Sequence, residues 1–374
     1  MSFRYSSGIN KPGFNPLGTQ TTTVLYNLLS WGSGSNGKLG LGNTTNYSSP
    51  KQVGALGGWS KVFCGNEHSL AIKTDGTLWA FGSGTFGKLG LNNTTNYSSP
   101  KQVGLLSTWN IATGGENFTA AIKTDGTLWS WGFNSDGQLG QSNTTYYSSP
   151  KQVGALTNWS KVSAGNEHCV AVKTDGTIWA WGRNNVGQLG RNNTTNYSSP
   201  KQIGALTNWN NATAGTSFCV AVKTDGTLWT WGANQAGQLG TGNTTYYSSP
   251  KQIGALTTWN INAGSAGHVI AIKTDGTLWS WGSNNNGQLG LGNTTYYSSP
   301  KQVGILTTWV IPVTGKSLNS LAIKTDGTLW SWGTNSVGEL GLNNTTNYSS
   351  PKQVGLSTTW LSVAGGTNFS LSAG

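Results

Sequence analysis

Hydrophobic and polar residues alternate over short runs of the chain, and residues 159–203 show the full pattern once. Alternation with a period of two residues is typical of a half-buried β-strand. Asp175-Gly176 separates the second run from the third and predicts a tight hairpin, whose primed turn needs positive φ angles. Pro200 is expected at the start of the fourth run, where a missing N–H costs least. The four runs, predicted to be antiparallel strands, cover residues 161–165, 168–173, 177–182 and 199–203.

The same unit recurs along almost the whole chain, and the proline of its Ser-Ser-Pro-Lys-Gln segment marks the period. The spacing is fifty residues, with one inserted residue near Pro312. An uninterrupted repeat favours one closed or stacked body over two or three separate domains. Four antiparallel strands in about fifty residues is the size of one blade of a β-propeller. The marker prolines are Pro50, Pro100, Pro150, Pro200, Pro250, Pro300 and Pro351.

Tryptophan provides the expected core of such a ring. Trp179, Trp181 and Trp209, with their equivalents in the other repeats, account for all nineteen tryptophans, and Phe81 replaces one of them. Each ring can bury about 150–250 Å², which a single flat sheet cannot do. The tryptophans are therefore expected to pack between adjacent blades rather than to form a ligand cage.

The two ends of the chain complement each other. Residues 361–374 supply two strands of a repeat and stop where a Lys-Thr-Asp-Gly turn would begin, and residues 23–32 supply a third strand with no hairpin before it. The N-terminal strand is therefore expected to complete the blade that the C-terminus begins, so that no sheet edge remains exposed. Residues 1–20, which contain Pro12 and Pro16, are expected to lie outside the ring as a flexible leader or an anchor.

Several motifs resemble the repeat of the regulator of chromosome condensation family. They are Trp-Gly-x-Asn-x-x-Gly-Gln-Leu-Gly at 181–190, 231–240 and 281–290, the Pro-Lys that follows, Ala-Gly-x-x-His at 164–168, and the Lys-Thr-Asp-Gly-Thr-Leu-Trp-Ser-Trp-Gly continuation. The resemblance recurs seven times over about residues 24–374. It implies an all-β fold, a seven-bladed β-propeller formed as one domain by residues 21–374. The composition suggests a bacterial or phage type of member.

Charge is sparse and concentrated at one position of the repeat. Only 9% of the residues are charged, and the formal net charge is +11. Lysine and aspartate cancel in each Lys-Thr-Asp-Gly turn, whereas each Ser-Ser-Pro-Lys segment adds one uncompensated lysine. This lysine ring either keeps a weakly charged surface soluble or holds the protein near an anionic surface. The ring comprises Lys51, Lys101, Lys151, Lys201, Lys251, Lys301 and Lys352.

The sequence offers little chemistry for catalysis. The three cysteines lie in or beside predicted strands and are expected to be small buried residues rather than redox groups. The three histidines share one repeat position on separate blades and are expected to form structural hydrogen bonds rather than a metal site. We therefore predict a protein that is not an enzyme and that has no cofactor and no metal. The residues concerned are Cys64, Cys169, Cys219, His68, His168 and His268.

The sequence also bears on the membrane association, secretion and partners of the protein. No apolar run is long enough to span a bilayer, and the first residues lack the apolar core of a secretory signal. Nucleic acid is not an expected partner, because tryptophans packed between blades are not available for stacking on bases.

Differences between the copies fall in two connections of the repeat, the one between the first and second strands and the one between the third and fourth. A four-stranded meander places both connections on one face, here called the variable face, and the Lys-Thr-Asp-Gly turns on the opposite face. Divergent loops on a uniform scaffold indicate recognition; the alternative is drift in unconstrained loops. The candidate binding residues are Phe86, Phe133, Asp136, Tyr146, Arg183, Arg191, Tyr246 and Tyr296.

Three functions are compatible with these observations. The resemblance implies nucleotide exchange on a small GTPase, but the chain lacks the long loop insertion and the basic tail of that exchange factor, so this activity is not predicted. The main prediction is a non-enzymatic bacteriophage virion component. Its variable face would recognise a host-surface glycan or another protein, and residues 1–20 would attach it to virion proteins. The alternative is a bacterial protein-binding propeller, either cytoplasmic or secreted.

Overall fold

Seven four-stranded antiparallel sheets make up the part of the chain that the computed structural model describes, residues 25–374 apart from residue 56. In six of the sheets the strands follow one another in chain order, so each is a meander. The first strand of each meander lines a central channel, and the fourth strand forms the outer circumference. The predicted all-β, seven-bladed propeller is confirmed.

The blades are numbered along the chain, and blade 1 contains both chain ends. Blade 1 is formed by β1 (Leu28–Gly32), β2 (Tyr47–Gln52), β27 (Ser362–Gly366) and β28 (Phe369–Ala373). Blade 2 is formed by β3 (Trp59–Cys64), β4 (His68–Lys73), β5 (Leu78–Gly82) and β6 (Tyr97–Gln102). Blade 3 is formed by β7 (Trp109–Gly114), β8 (Phe118–Lys123), β9 (Leu128–Gly132) and β10 (Tyr147–Gln152). Blade 4 is formed by β11 (Trp159–Ala164), β12 (His168–Lys173), β13 (Ile178–Gly182) and β14 (Tyr197–Gln202).

The three remaining blades repeat the same plan. Blade 5 is formed by β15 (Trp209–Ala214), β16 (Phe218–Lys223), β17 (Leu228–Gly232) and β18 (Tyr247–Gln252). Blade 6 is formed by β19 (Trp259–Ser265), β20 (His268–Lys273), β21 (Leu278–Gly282) and β22 (Tyr297–Gln302). Blade 7 is formed by β23 (Trp309–Thr314), β24 (Asn319–Lys324), β25 (Leu329–Gly333) and β26 (Tyr348–Gln353). Short 3-10 turns occur at Ser35–Gly37 and Thr85–Gly87, and no helix in the described residues is long and apolar enough to cross a membrane.

Blade 1 closes the ring, as predicted from the sequences of the two chain ends. Strand β1 lies between β2 and β28, and its register with β28 runs from Leu28 opposite Ala373 to Gly32 opposite Phe369. The N-terminal strand therefore completes the blade that the C-terminus begins. The predicted leader, residues 1–20, lies outside the described residues.

Each blade holds the next one through a socket for a tryptophan. In blade 5, Trp231 is 0% exposed, and its Nε1 donates a hydrogen bond to the carbonyl oxygen of Gln188 in blade 4 at 2.9 Å. Gly190 lies beside this ring at a φ of +69°, and a Cβ there would lie 2.9 Å from the indole Nε1. The Gln-Leu-Gly motif therefore forms the socket for the next blade's indole. The predicted packing between blades is confirmed for this buried position, whereas Trp229, two residues earlier, is half-buried.

The hairpin between the second and third strands differs from the prediction. Of the pair Asp175-Gly176 only the glycine has a positive φ, of +76°, so the predicted primed turn is wrong. Gly176 N donates to Lys173 O at 3.0 Å, which gives a three-residue loop that ends in a left-handed glycine. The Asp175 carboxylate accepts bonds from Thr177 N at 2.9 Å and from Thr177 Oγ1 at 2.6 Å, and these bonds lower the pKa of Asp175. The aspartate therefore stabilises the turn through its side chain.

The outermost strand also begins earlier than predicted. In blade 4 it starts at Tyr197, and Pro200 lies inside it, not at its start. Pairing is interrupted between Gly182 opposite Tyr197 and Ala180 opposite Lys201, so the proline lies in a bulge on a sheet edge. The Lys201 ammonium lies 5.9 Å from the centre of the Tyr197 ring, and the other six ring lysines lie 5.4–5.8 Å from their tyrosines. Proline, bulge and lysine together protect the edge strand from pairing with other strands.

Candidate recognition face

The two variable connections of each blade lie side by side. In blade 4 the backbone N–H of Arg183, after the third strand, donates to the carbonyl oxygen of Glu167, after the first strand, at 2.9 Å. On the opposite side, Thr174 N in the hairpin turn donates to Asn158 O, which precedes the first strand, at 2.9 Å. The variable face is therefore one continuous surface.

Three predicted binding residues form an aromatic cluster on this face, with Phe86 and Tyr146 exposed and Phe133 half-buried. Phe86 belongs to blade 2, and Phe133 and Tyr146 belong to blade 3. Ring centres are 4.9 Å apart for Phe86 and Phe133, 4.7 Å for Phe133 and Tyr146, and 5.8 Å for Phe86 and Tyr146. Phe86 is 43% exposed and Tyr146 is 44% exposed. These rings present an apolar surface to solvent across a blade boundary, and we call them the aromatic cluster.

The backbone of Phe86 has an unfavourable conformation. Its φ of +60° lies in the left-handed region, which is unfavourable for a bulky side chain by about 1–2 kcal/mol. Asn36, at the same position of blade 1, has a φ of +57°, and asparagine tolerates this region better. Phe86 therefore combines a strained backbone with an exposed aromatic ring on the variable face.

Charged side chains lie in the same variable connections as the aromatic cluster. Arg183 pairs with Glu167, and this partner raises the pKa of the guanidinium. Asp136 Oδ1 accepts a hydrogen bond from Asn196 Nδ2 at 2.8 Å. The chain has eleven acidic residues, and the five outside the hairpin turns all lie in the variable connections. They are Glu67, Glu116, Asp136, Glu167 and Glu339.

A buried lysine below the variable face was missed by the sequence reasoning. Lys88 is 2% exposed, and its Nζ donates to Asn117 Oδ1 at 3.0 Å. Burial lowers the pKa of Lys88 to about 8, although Glu67 and Glu116 act in the opposite direction. The signal was present as Gly-Lys-Leu-Gly, because four other blades carry glutamine at this position of the socket motif.

Contacts between neighbouring blades explain part of the loop variation. Residues sixty positions apart meet across the blade boundary: Asn96 Nδ2 donates to Asn36 Oδ1 at 3.3 Å, and Tyr146 packs on Phe86 as described above. Asp136 and Asn196 form the third such pair. The residue type at one of these positions therefore matches the residue type of its contact partner in the neighbouring blade.

The remaining predicted residues lie away from the aromatic cluster. Tyr246 donates from its hydroxyl to Gln235 Oε1 at 3.0 Å in blade 5, and Tyr296 is exposed in blade 6. Arg191 lies on the flank of the ring, where it bonds the carbonyl oxygen of Gln202 and stands 5.2 Å from the Tyr197 ring. Of the predicted binding residues, the structure therefore brings Phe86, Phe133 and Tyr146 into contact with one another.

The histidines connect neighbouring blades. Their Nε2 atoms lie 3.0 Å from Thr119 Oγ1, 3.4 Å from Cys219 Sγ and 2.9 Å from Ser320 Oγ for His68, His168 and His268 respectively. Burial lowers the pKa of His168 and of His268 to about 3, so both rings are neutral at physiological pH. The predicted structural role is confirmed. Within residues 25–374 as described, no three His, Cys, Asp or Glu side chains lie close enough to hold a metal ion.

The single inserted residue places a lysine at the central channel. Thr314 pairs with Ser320 in blade 7, whereas Gly264 pairs with Val269 in blade 6, so the insertion lies between Thr314 and Ser320. From this loop Lys316 Nζ reaches across to Ala164 O of blade 4 at 2.8 Å. Burial lowers the pKa of Lys316 to about 8. The channel cavity has a volume of about 320 Å³.

Comparison with known proteins agrees with this architecture. A family model described as the RCC1-like domain matches residues 27–372. Yeast RCC1 (Prp20), in its crystal structure with Kap60, matches with 21% identity and a TM-score of 0.83 over 94% of this chain and 89% of that one. Prp20p from Saccharomyces cerevisiae gives 22% identity and a TM-score of 0.83 over 94% and 92%. Human WBSCR16 gives 20% identity and a TM-score of 0.83 over 93% and 98%.

Proposed function

This chain belongs to the RCC1-like domain family, and from that premise we propose that it is a binding module that docks a partner protein on its variable face. The aromatic cluster carries the proposal. Binding energy at protein interfaces concentrates in a few aromatic and arginine side chains surrounded by a polar rim. Phe86, Phe133 and Tyr146 supply the aromatic centre, and Arg183, Asp136 and their partners supply the rim.

The matched proteins support binding of proteins as the general role. Yeast RCC1 (Prp20) has been crystallised with bound Kap60, and Prp20p has been described with its binding to Gsp1p and histones. They give no support to a virion component or to a host-surface glycan on the variable face. We therefore take forward the alternative of a protein-binding propeller, and an attachment role for residues 1–20 stays a prediction.

Affinity capture from cells of the source organism tests the proposal. The wild-type protein is expected to recover a partner, and Phe86→Ser with Phe133→Ser is expected to weaken that interaction by about thirtyfold or more, since the loss of one hot-spot side chain costs about 2 kcal/mol. Leu105→Ser is the matched control, because Leu105 is an exposed apolar residue on the opposite face. Equal affinity for the wild type and the double variant, or a loss with Leu105→Ser alone, would refute the assignment of this face.

A further inference from the structure

A second set of possible sites lies on the flank of the ring, in grooves at the blade boundaries. Cavity volumes are about 600 Å³ between blades 4 and 5, 600 Å³ between blades 5 and 6, 390 Å³ between blades 6 and 7, and 280 Å³ between blades 1 and 2. These volumes are in or near the range of small-molecule sites, which is about 300–1,000 Å³. The groove between blades 4 and 5 is lined by Gln202, Leu206, Trp209, Lys223, Trp229 and Pro250, among others.

The lysine in this groove has no oxygen partner in the folded chain. Lys223 is only 6% exposed, and its Nζ lies 4.9 Å from the ring centre of Trp209 and 4.0 Å from that of Trp229. No side-chain hydrogen bond or ion pair joins this Nζ to a described residue, and the Asp225 carboxylate accepts bonds from Thr227. The Nζ is not among the buried polar atoms without a partner, so the ammonium faces the solvent of the groove. Its three N–H donors are therefore open to an acceptor that enters the groove.

The same arrangement recurs around the ring. Six hairpin lysines place Nζ 4.8–5.1 Å from the first tryptophan of their blade and 3.6–4.9 Å from the half-buried one. The two rings hold each ammonium in a fixed position. The lysines are Lys73, Lys123, Lys173, Lys223, Lys273 and Lys324.

The remaining groove walls suit the apolar side and the hydroxyl groups of a sugar ring. Leu206 is 51% exposed and stands with Pro250 beside the half-buried Trp229. Gln202 and Ser249 add hydrogen-bonding side chains. The groove between blades 5 and 6 also includes Lys251 of the lysine ring, which brings a second cation next to Lys273.

We propose that these grooves bind carboxylate-bearing sugar units, and that together they bind a polysaccharide rich in uronic acids. In the grooves between blades 4 and 7 the lysine ammonium donates hydrogen bonds to the carboxylate, and the apolar wall contacts the ring. Discrete grooves that repeat the same types of lining residue match a polymer of identical units better than they match one protein surface. The uncompensated lysine ring adds positive charge along the same flank, while the acidic residues outside the turns lie on the variable face. Several weak sites acting together are expected to raise affinity by about 10²–10⁴.

Titration of the full chain with defined sugars tests this proposal by tryptophan fluorescence and calorimetry. Trigalacturonate is expected to bind at several sites per chain, and its methyl ester, which has the same rings without the charge, is expected to bind at least about tenfold more weakly. Polygalacturonate is expected to bind more tightly than trigalacturonate. Equal binding of the acid and the ester, or binding of polyglutamate without binding of polygalacturonate, would overturn the proposal.

Matched variants locate the binding and separate it from the variable face. Lys223→Met with Lys273→Met is expected to reduce the number of sites by two, whereas Lys223→Arg with Lys273→Arg retains the charge and is expected to retain the sites. Phe133→Ser is expected to leave sugar binding unchanged. An unchanged number of binding sites in a folded methionine variant would contradict the assignment of the sites to these lysines. If that variant does not fold, the comparison of trigalacturonate with its methyl ester still tests whether the carboxylate is recognised.

Discussion

Phe81→Trp is expected to stabilise the protein, because Phe81 occupies a socket that the other six blades fill with an indole. In those blades the buried tryptophan Nε1 donates to a carbonyl oxygen of the preceding blade at 2.9–3.0 Å. For Phe81 the corresponding carbonyl oxygen of the preceding blade is that of Lys38. It accepts one side-chain hydrogen bond, from Ser69 Oγ at 2.7 Å. Its counterpart, Lys88 O, accepts both Thr119 Oγ1 at 2.8 Å and Trp131 Nε1 at 3.0 Å. The oxygen of Lys38 therefore has room for a second donor.

The size of the effect follows from two contributions. A new intramolecular hydrogen bond adds about 0.5–1.5 kcal/mol. Roughly 40 Å² of additional buried apolar area adds about 1 kcal/mol at about 25 cal/mol per Å². Gly40, at a φ of +72°, provides the same close approach as the glycines of the other sockets. Phe81→Trp is therefore expected to raise the free energy of unfolding by about 2 kcal/mol.

Urea unfolding followed by circular dichroism measures this change, with Trp131→Phe as the matched reverse substitution. The two variants are expected to shift the free energy of unfolding by similar amounts in opposite directions. A neutral or destabilising Phe81→Trp together with a neutral Trp131→Phe would refute the socket as the contact that holds adjacent blades together.

Three further outcomes follow from buried groups. Gly190→Ala is expected to lower the free energy of unfolding by at least about 1 kcal/mol, because its φ is +69° and the new Cβ would crowd Trp231; an unchanged melting temperature would contradict this. None of the three cysteine thiols is expected to react with a thiol reagent in the folded protein, since all are buried and burial raises their pKa; stoichiometric labelling without unfolding would contradict this. The free energy of unfolding of Lys88→Met, relative to that of the wild type, is expected to be highest below pH 8. Below this pH the native wild-type protein contains a charged lysine in a buried position, which is destabilising. That advantage shrinks by up to about 3 kcal/mol as the pH rises from about 8 to 10.5 and the wild-type lysine loses its proton; parallel curves of unfolding free energy against pH for the two proteins would contradict this.

The fifty-residue period was enough to predict the fold, because identical core positions recur in every unit and the two chain ends are complementary. The turn type was not predictable from Asp175-Gly176, since this pair fits both a primed turn and a longer loop that ends in a left-handed glycine. The structure shows the second form, stabilised by bonds from Thr177 to the aspartate.

The candidate site was predictable in part. The sequence assigned Phe86, Phe133 and Tyr146 to one face but did not show that they touch, because contact across a blade boundary depends on how adjacent blades pack. Pairing at sixty residues, as in Asn36 with Asn96, was the pattern that could have revealed it. The hairpin lysines were interpreted only as charges cancelled by aspartates, whereas each lysine faces two tryptophans instead, as Lys223 does.

Site-specific photocrosslinking in cells of the source organism tests the proposed recognition face most directly. A photoreactive phenylalanine analogue at position 133 lies within the aromatic cluster, and the same analogue at position 105 lies on the opposite face. The proposed function predicts that position 133 crosslinks to one partner protein in high yield and that position 105 does not. Equal crosslinking from both positions, or crosslinking from position 105 alone, would contradict it.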